Sequence, residues 1–257
     1  LNFGIAVHIH FTLVPHHSTS NEMPASDQSK GQYKTILVTT ENKTTKIMLN
    51  RPYKRNAIGL VMYREIMQTL EAAAKDESTL TVLTGQTLSP VGRKHFVSHF
   101  IDFPKPLVAV VNGPAIGVSV TFLGLFDIVY ASDKAVFQTP FSQLGLTPEG
   151  CSAYTLPKIM GPAKAKEMLL FNKKITADQA CVQGLETEVF TDSTFQEEVW
   201  RRLKAYSNFP QNVSFSKQLV RSMDKGILHS VNSQESECLK CLNNLLPEEV
   251  KIMILNF

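Results

Sequence analysis

Two short stretches of this 257-residue chain carry residue types that could do chemistry together. The first is Asn112-Gly113-Pro114-Ala115-Ile116-Gly117-Val118, and the second is Thr147-Pro148-Glu149-Gly150. Glycines and a proline force a sharp turn in the first. Where such a turn runs into a helix, backbone N–H groups are left pointing one way, toward any negative oxygen that enters. Glu149 lies in an otherwise apolar stretch, 144–156, where partial burial would raise its proton affinity toward that of a useful base. An oxyanion site facing one general base is the chemistry this pair predicts. Each stretch also has a plainer reading, the first as an ordinary strand-to-helix connection and the second as an exposed turn glutamate beside a glycine.

The elements that must position these residues are legible around them. Leu107-Val108-Ala109-Val110-Val111 has the length and β-branching of a strand buried on both faces, and 118–126 reads as a buried helix starting at the turn. Upstream, 35–40 and 45–50 read as a hairpin, 60–75 as a helix and 80–84 as a strand. Downstream, 128–130 suits a short strand, and 163–170, 177–183 and 195–206 suit helices. Alternation of this kind predicts an α/β layered domain with right-handed connections. No internal sequence repeat is visible. The chain divides into a disordered or weakly docked leader over 1–32, a core over 33–194 and a helical region over 195–257.

Composition narrows the function classes. With 43% hydrophobic residues and a net charge of +3, the chain can bury one sizeable core. That charge is too small to argue for nucleic acid, though it suits a phosphate-bearing ligand. No segment reads as a membrane span or a secretory signal. Cys151, Cys181, Cys238 and Cys241 form no dense disulfide framework, and Cys238-Leu-Lys-Cys241 is a lone CxxC on a predicted helix. Histidines at 8, 10, 16 and 17 have no carboxylate or cysteine among them. His95 and His99 have helical spacing, but Phe96 stands where a metalloprotease needs glutamate. No metal site is predicted. The sequons at Asn42 and Asn212 carry little weight without a secretory signal.

Several further motifs occur in an order that resembles the enoyl-CoA hydratase/isomerase (crotonase) superfamily, and within it the peroxisomal Δ3,Δ2-enoyl-CoA isomerases. They are Ile47-Met48-Leu49-Asn50-Arg51-Pro52, Lys54-Arg55-Asn56-Ala57-Ile58, Phe103-Pro104-Lys105-Pro106, the run from Phe126 to Asp133, Phe137-Gln138-Thr139-Pro140-Phe141 and Gly184-Leu185. The resemblance runs from about Lys34 to the C-terminal end. It implies a spiral of ββα units followed by a C-terminal helical region that mediates trimer formation, as a homotrimer or a mixed trimer with related isomerases. It also implies an acyl-CoA substrate, no cofactor beyond the CoA moiety, and action in unsaturated fatty-acid β-oxidation.

Residue by residue, the resemblance implies that Glu149 is the base, in a Leu-Gly-x-x-Pro-Glu-Gly context. Val118 would donate its backbone N–H to the thioester oxygen, with Gly117 permitting the turn. Lys54, Arg55, Asn56 and Ala57 resemble the segment that cradles the adenine and phosphates of coenzyme A, although a solvated basic loop fits them too. Hydratases of the superfamily use two glutamates, and the corresponding positions here are Thr121 and Phe141. An isomerase is therefore expected rather than a hydratase.

One segment departs from the pattern. Close relatives place a Ser-Gly-Asn-Asp-type turn, a flexible loop and a long helix after the Thr-Gly that here is Thr84-Gly85. In this chain 86–95 bridges directly to what reads as the end of that helix, so the first oxyanion donor and part of the acyl pocket are expected to be missing. A second reading follows, of a catalytically impaired relative that binds acyl-CoA or serves as a trimer partner. Peroxisomal relatives end in a Ser-Lys-Leu-type address, whereas this sequence ends Met253-Ile254-Leu255-Asn256-Phe257. A peroxisomal location rests on the resemblance, with the mitochondrion as the alternative.

Overall fold

A computed structural model describes residues 33–54, 56, 58–85, 87–89 and 94–245. The predicted leader and its histidines lie outside the described residues. The described part opens with a hairpin, β1 (Ile36–Glu41) antiparallel to β2 (Thr44–Leu49). Asn42 and Lys43 between them both take positive φ, 48° and 56°, which is the backbone of a tight two-residue turn whose twist matches its strands. A 3-10 turn at Pro52–Lys54 leads into α1 (Leu60–Ala73).

From there the chain winds as a spiral. β3 (Leu80–Thr84) enters a large sheet and β4 (Thr87–Ser89) a small one, and α2 (Lys94–Asp102) completes the turn. β5 (Leu107–Val111), β6 (Ala115–Gly117) and α3 (Val118–Thr121) repeat the pattern. β7 (Ile128–Ser132) and β8 (Val136–Gln138) follow, then α4 (Ser152–Met160) and α5 (Pro162–Leu169). The chain continues with β9 (Ile175–Thr176), α6 (Ala177–Val182), β10 (Glu188–Phe190), α7 (Phe195–Ser207) and α8 (Val213–Leu245). The large sheet runs β1-β2-β3-β5-β7-β10 and is parallel from β2 onward, while the small sheet runs β4-β6-β8-β9. This is the expected α/β spiral of strand-strand-helix turns with a helical C-terminal region.

β5 shows why an unbroken apolar run was required. Leu107, Ala109 and Val111 face a core shared with α1, α2 and the small sheet, and Val108 and Val110 face a second core against α7. A strand covered on both faces has no polar side to alternate with.

Three predicted boundaries shift. The helix expected over 118–126 is one α-turn, Val118–Thr121, followed by a 3-10 turn at Phe122–Leu125. Gly124 explains the tightening: a Cβ there would lie 2.7 Å from Thr155 on α4, so this turn is where α4 packs closest. The strand expected over 128–130 extends to Ser132, and the helix expected to reach Lys75 ends at Ala73.

α8 is a 33-residue helix laid across the turns of the spiral. Lys217 Nζ pairs with Asp127 (2.8 Å) and donates to the Lys105 carbonyl (2.6 Å), and Arg221 donates to the Leu125 carbonyl (2.7 Å). Asp224 accepts from Tyr154 Oη (2.9 Å) and pairs with Lys158, both on α4. Asn232 donates to the carbonyl of Lys94 (2.9 Å), the first residue of α2. Among the described residues no helix is long and apolar enough to cross a membrane.

Candidate active site

The parallel strands β2, β3 and β5 end on a common edge of the large sheet, and the 51–56 loop, Gly85 and the Asn112-Gly113-Pro114 turn all leave from it. Loops that leave one edge in this way form a crevice outside the strand ends, where open α/β sheets bind ligands. β6 follows the turn. Its last residue, Gly117, has φ 68° and ψ −128°, a conformation open to glycine and strained for any side chain. The bend delivers the chain into α3, all four of whose residues are buried.

At four residues α3 has no appreciable macrodipole, so the electrostatic help expected from a helix N-terminus does not apply. What the sequence places here is the peptide N–H at the Gly117–Val118 bend, set at the start of a helical turn.

Glu149 lies in the turn that enters α4. It is 4% exposed, more deeply covered than the partial burial expected. Its carbonyl accepts from Ser152 Oγ (2.8 Å) and Ser152 N (3.3 Å), which ties its turn to the start of α4. The next residue, Gly150, has φ 70°, and a Cβ there would sit 2.6 Å from Thr121 Oγ1. Thr121 is itself fully buried and donates back to the carbonyl of Val118 (3.1 Å). Thus the turn that holds Glu149 packs on α3, which begins at Val118, through the contact of Gly150 with Thr121. Phe141, at the second hydratase position, is 3% exposed, so neither of those two positions offers a carboxylate.

The departing segment pairs with the same bend. β4 runs parallel to β6 with Thr87 opposite Ala115, Leu88 opposite Ile116 and Ser89 opposite Gly117. Ser89 therefore lies beside Gly117, and the small sheet keeps its edge strand although the sequence between β4 and α2 is short.

Of the predicted coenzyme A segment, Lys54 ends the 3-10 turn, while Arg55 and Ala57 lie outside the described residues. Asn56 adopts φ 54° and closes the loop: its N–H donates to the Arg51 carbonyl (2.9 Å) and its carboxamide oxygen accepts from Arg51 N–H (2.5 Å). Among the described residues no group of three His, Cys, Asp or Glu could hold a metal ion.

Glu235 was not among the residues that the sequence motifs singled out. From α8 its carboxylate accepts from the backbone N–H of Cys151 (2.7 Å) and of Ala153 (2.9 Å), and it is 7% exposed. Burial raises its proton affinity, and the two N–H bonds oppose that rise. Burial, reinforced by the Glu235 charge, pushes the Cys151 thiol up to about 12, so the thiol is neutral. A signal was present, since Leu228, Asn232, Glu235 and Leu239 recur at helical spacing and two polar residues on a core-facing stripe must have partners there.

A spiral of strand-strand-helix turns that alternate between two sheets, closed by a long C-terminal helix, is the architecture of the crotonase-like proteins. The enoyl-CoA hydratase/isomerase family profile matches residues 86–245. Human enoyl-CoA delta isomerase 2 is 51% identical over 266 residues, covering 93% of this chain and 67% of that protein. Mouse peroxisomal enoyl-CoA delta isomerase 3 is 48% identical over 275 residues, covering 95% and 86% respectively. The crystal structure of an enoyl-CoA hydratase/isomerase from Pseudoalteromonas atlantica T6c superposes with a TM-score of 0.79 at 29% identity, covering 85% of this chain and 94% of that one. The chain belongs to the enoyl-CoA hydratase/isomerase family.

Proposed function

We propose that this chain is a Δ3,Δ2-enoyl-CoA isomerase, converting 3-enoyl-CoA to trans-2-enoyl-CoA in the oxidation of unsaturated fatty acids. The observation that carries the reading is buried Glu149 on a turn that packs on α3 through Gly150 and Thr121, with Thr121 and Phe141 where a hydratase needs its two glutamates. Glu149 takes a proton from C2, the electron pair spreads through the dienolate onto the thioester oxygen, and the same carboxyl returns the proton at C4. The N–H of Val118 stabilises the oxygen as charge develops. The reaction moves a proton and a double bond with no net redox change, so it needs no cofactor beyond the CoA moiety. Lys54, Arg55, Asn56 and Ala57 contact that moiety. Delta isomerases at 48–51% identity support the assignment.

A second reading, of an acyl-CoA-binding or trimer-partner protein without turnover, is favoured by the short passage from Ser89 to Lys94, where relatives carry a pocket helix. A coupled assay with a 3-enoyl-CoA decides between the two. Glu149→Gln is expected to lower kcat by about 10³-fold, within the range for loss of a general acid–base group, while CoA binding persists. Wild-type protein that is folded and binds CoA without turnover would establish the second reading.

The chain assembles as a trimer with copies of itself or with related isomerases. Phe215, Leu219, Met223 and Ile227 recur every four residues along α8 and are 71%, 72%, 79% and 46% exposed, an apolar row that supports subunit contact. Its compartment is the peroxisome, as for the mouse relative named peroxisomal, with the mitochondrion as the alternative.

A further inference from the structure

The turn that carries Glu149 ends in a conformation unfavourable to the residue that adopts it. Cys151 has φ 66°, in the left-handed region that favours glycine, and it stands at the N-cap of α4 without a side-chain capping bond. The first N–H groups of α4 have no acceptors within their own helix, and buried donors of that kind must be satisfied from elsewhere. The acceptor is 84 residues away. Glu235 Oε2 takes the Cys151 N–H and Oε1 takes the Ala153 N–H, so one carboxylate holds the strained residue and the first turn of α4 together.

The register of α8 that presents this carboxylate is fixed one turn earlier by Asn232, which is 2% exposed and donates to the Lys94 carbonyl (2.9 Å) and to Ser98 Oγ (3.2 Å) on α2. Cys151 adds a weak bond of its own, Sγ to the Leu228 carbonyl (3.4 Å). Three consecutive turns of α8 thus grip the chain just beyond β4 and just beyond Glu149.

We propose that Glu235 is a positioning residue for the base: its bidentate hold on Cys151 and Ala153 fixes the Glu149-Gly150-Cys151 turn, and through it the place of the Glu149 carboxyl. The proposal rests on the isomerase reading for its kinetic consequence and on hydrogen-bond geometry for its structural one. Glutamine at 235 keeps the shape but has one acceptor oxygen, so its NH2 would confront a second backbone donor. A turn released in this way misplaces the base, and displacements of about 1 Å cost roughly 10²-fold in rate.

The test compares full-length wild type, Glu235→Gln and Asp224→Asn. The last breaks a different tie between α8 and α4, at Tyr154 and Lys158, away from the Glu149 turn. Expected is a kcat lowered about 10- to 100-fold by Glu235→Gln with KM within about threefold of wild type, and a kcat within about twofold for Asp224→Asn. Equal loss of kcat in the two variants, or a kcat for Glu235→Gln within twofold of wild type, overturns the proposal. Amide hydrogen exchange across 147–155 gives a readout that needs no turnover. Faster exchange of Cys151 and Ala153 in Glu235→Gln supports the grip, and unchanged exchange overturns it. Absence of wild-type turnover would then sink the isomerase reading while exchange still decides the role of Glu235. Should Glu235→Gln fail to fold, Glu235→Asp keeps the charge, draws the carboxylate back by one methylene and is judged by the same two readouts.

Discussion

The two sides of the site are held by different means. On the Gly117–Val118 side β5, the Asn112-Gly113-Pro114 turn, β6 and α3 follow one another directly, their side chains lie in the core, and β6 is held between β4 and β8 in the small sheet. On the Glu149 side local support is weak, because the turn runs through Gly150 and Cys151, both at positive φ, and is finished by a carboxylate from α8. One side is built by strand propensity and burial, the other by a long-range hydrogen-bonded brace. A site assembled in this way can lose its base geometry while its oxyanion geometry and its core survive.

The sharpest way to break that asymmetry is at the single point where the sides touch. Gly150→Ala drives a Cβ to 2.6 Å from Thr121 Oγ1 and 3.2 Å from Thr121 Cβ in a backbone conformation unsuited to alanine. It is expected to cost about 3 kcal/mol of stability, read as a Tm lower by about 6–12 °C, and at least about 10²-fold in kcat. Gly117→Ala strains one side alone, at φ 68°. Its expected result is a kcat lower by about 10²-fold from displacement of one oxyanion donor, with a smaller Tm loss of about 2–5 °C. If Gly117→Ala left kcat unchanged, the Val118 N–H would have no part in the reaction.

A third substitution sharpens the comparison by touching neither side. Glu186 is 3% exposed, neither of its carboxylate oxygens has a hydrogen-bond partner among the described residues, and burial pushes its carboxyl up to about 8. Because the folded value lies above the ordinary one of 4.5, its contribution to stability is fully present below about pH 4.5 and is lost as pH rises to 8. Glu186→Leu removes that loss. The Tm of the variant is expected to gain on wild type between pH 5 and pH 8, by a margin on the order of 3 kcal/mol in stability, with kcat unchanged. A constant Tm difference across that range would show that Glu186 does not titrate with folding.

What the sequence disclosed follows the same division. β5 and β3 were bounded at Leu107–Val111 and Leu80–Thr84 because strands buried on both faces write themselves as unbroken apolar runs. Glu149 and the glycine bend were visible because their residue types are unusual in such surroundings. The brace was not, since nothing local to Glu235 or Asn232 states that partners lie on α4 and α2. Nor was the short edge strand β4, whose three residues are held by pairing with β6 rather than by any pattern of their own. The spiral itself repeats in space while no repeat shows in the sequence, because each turn packs against different neighbours and its side chains are chosen for them.

The brace also sets an order of events during synthesis. Ribosomes deliver the chain from its N-terminus, so both sheets and the first seven helices can emerge and pack before the C-terminal helix exists. Until Asn232 and Glu235 clear the exit tunnel, the N–H groups of Cys151 and Ala153 have only water to bond. A nascent chain can therefore bury its core before the turn that carries Glu149 is braced, and the brace arrives with a residue made 84 positions after Cys151.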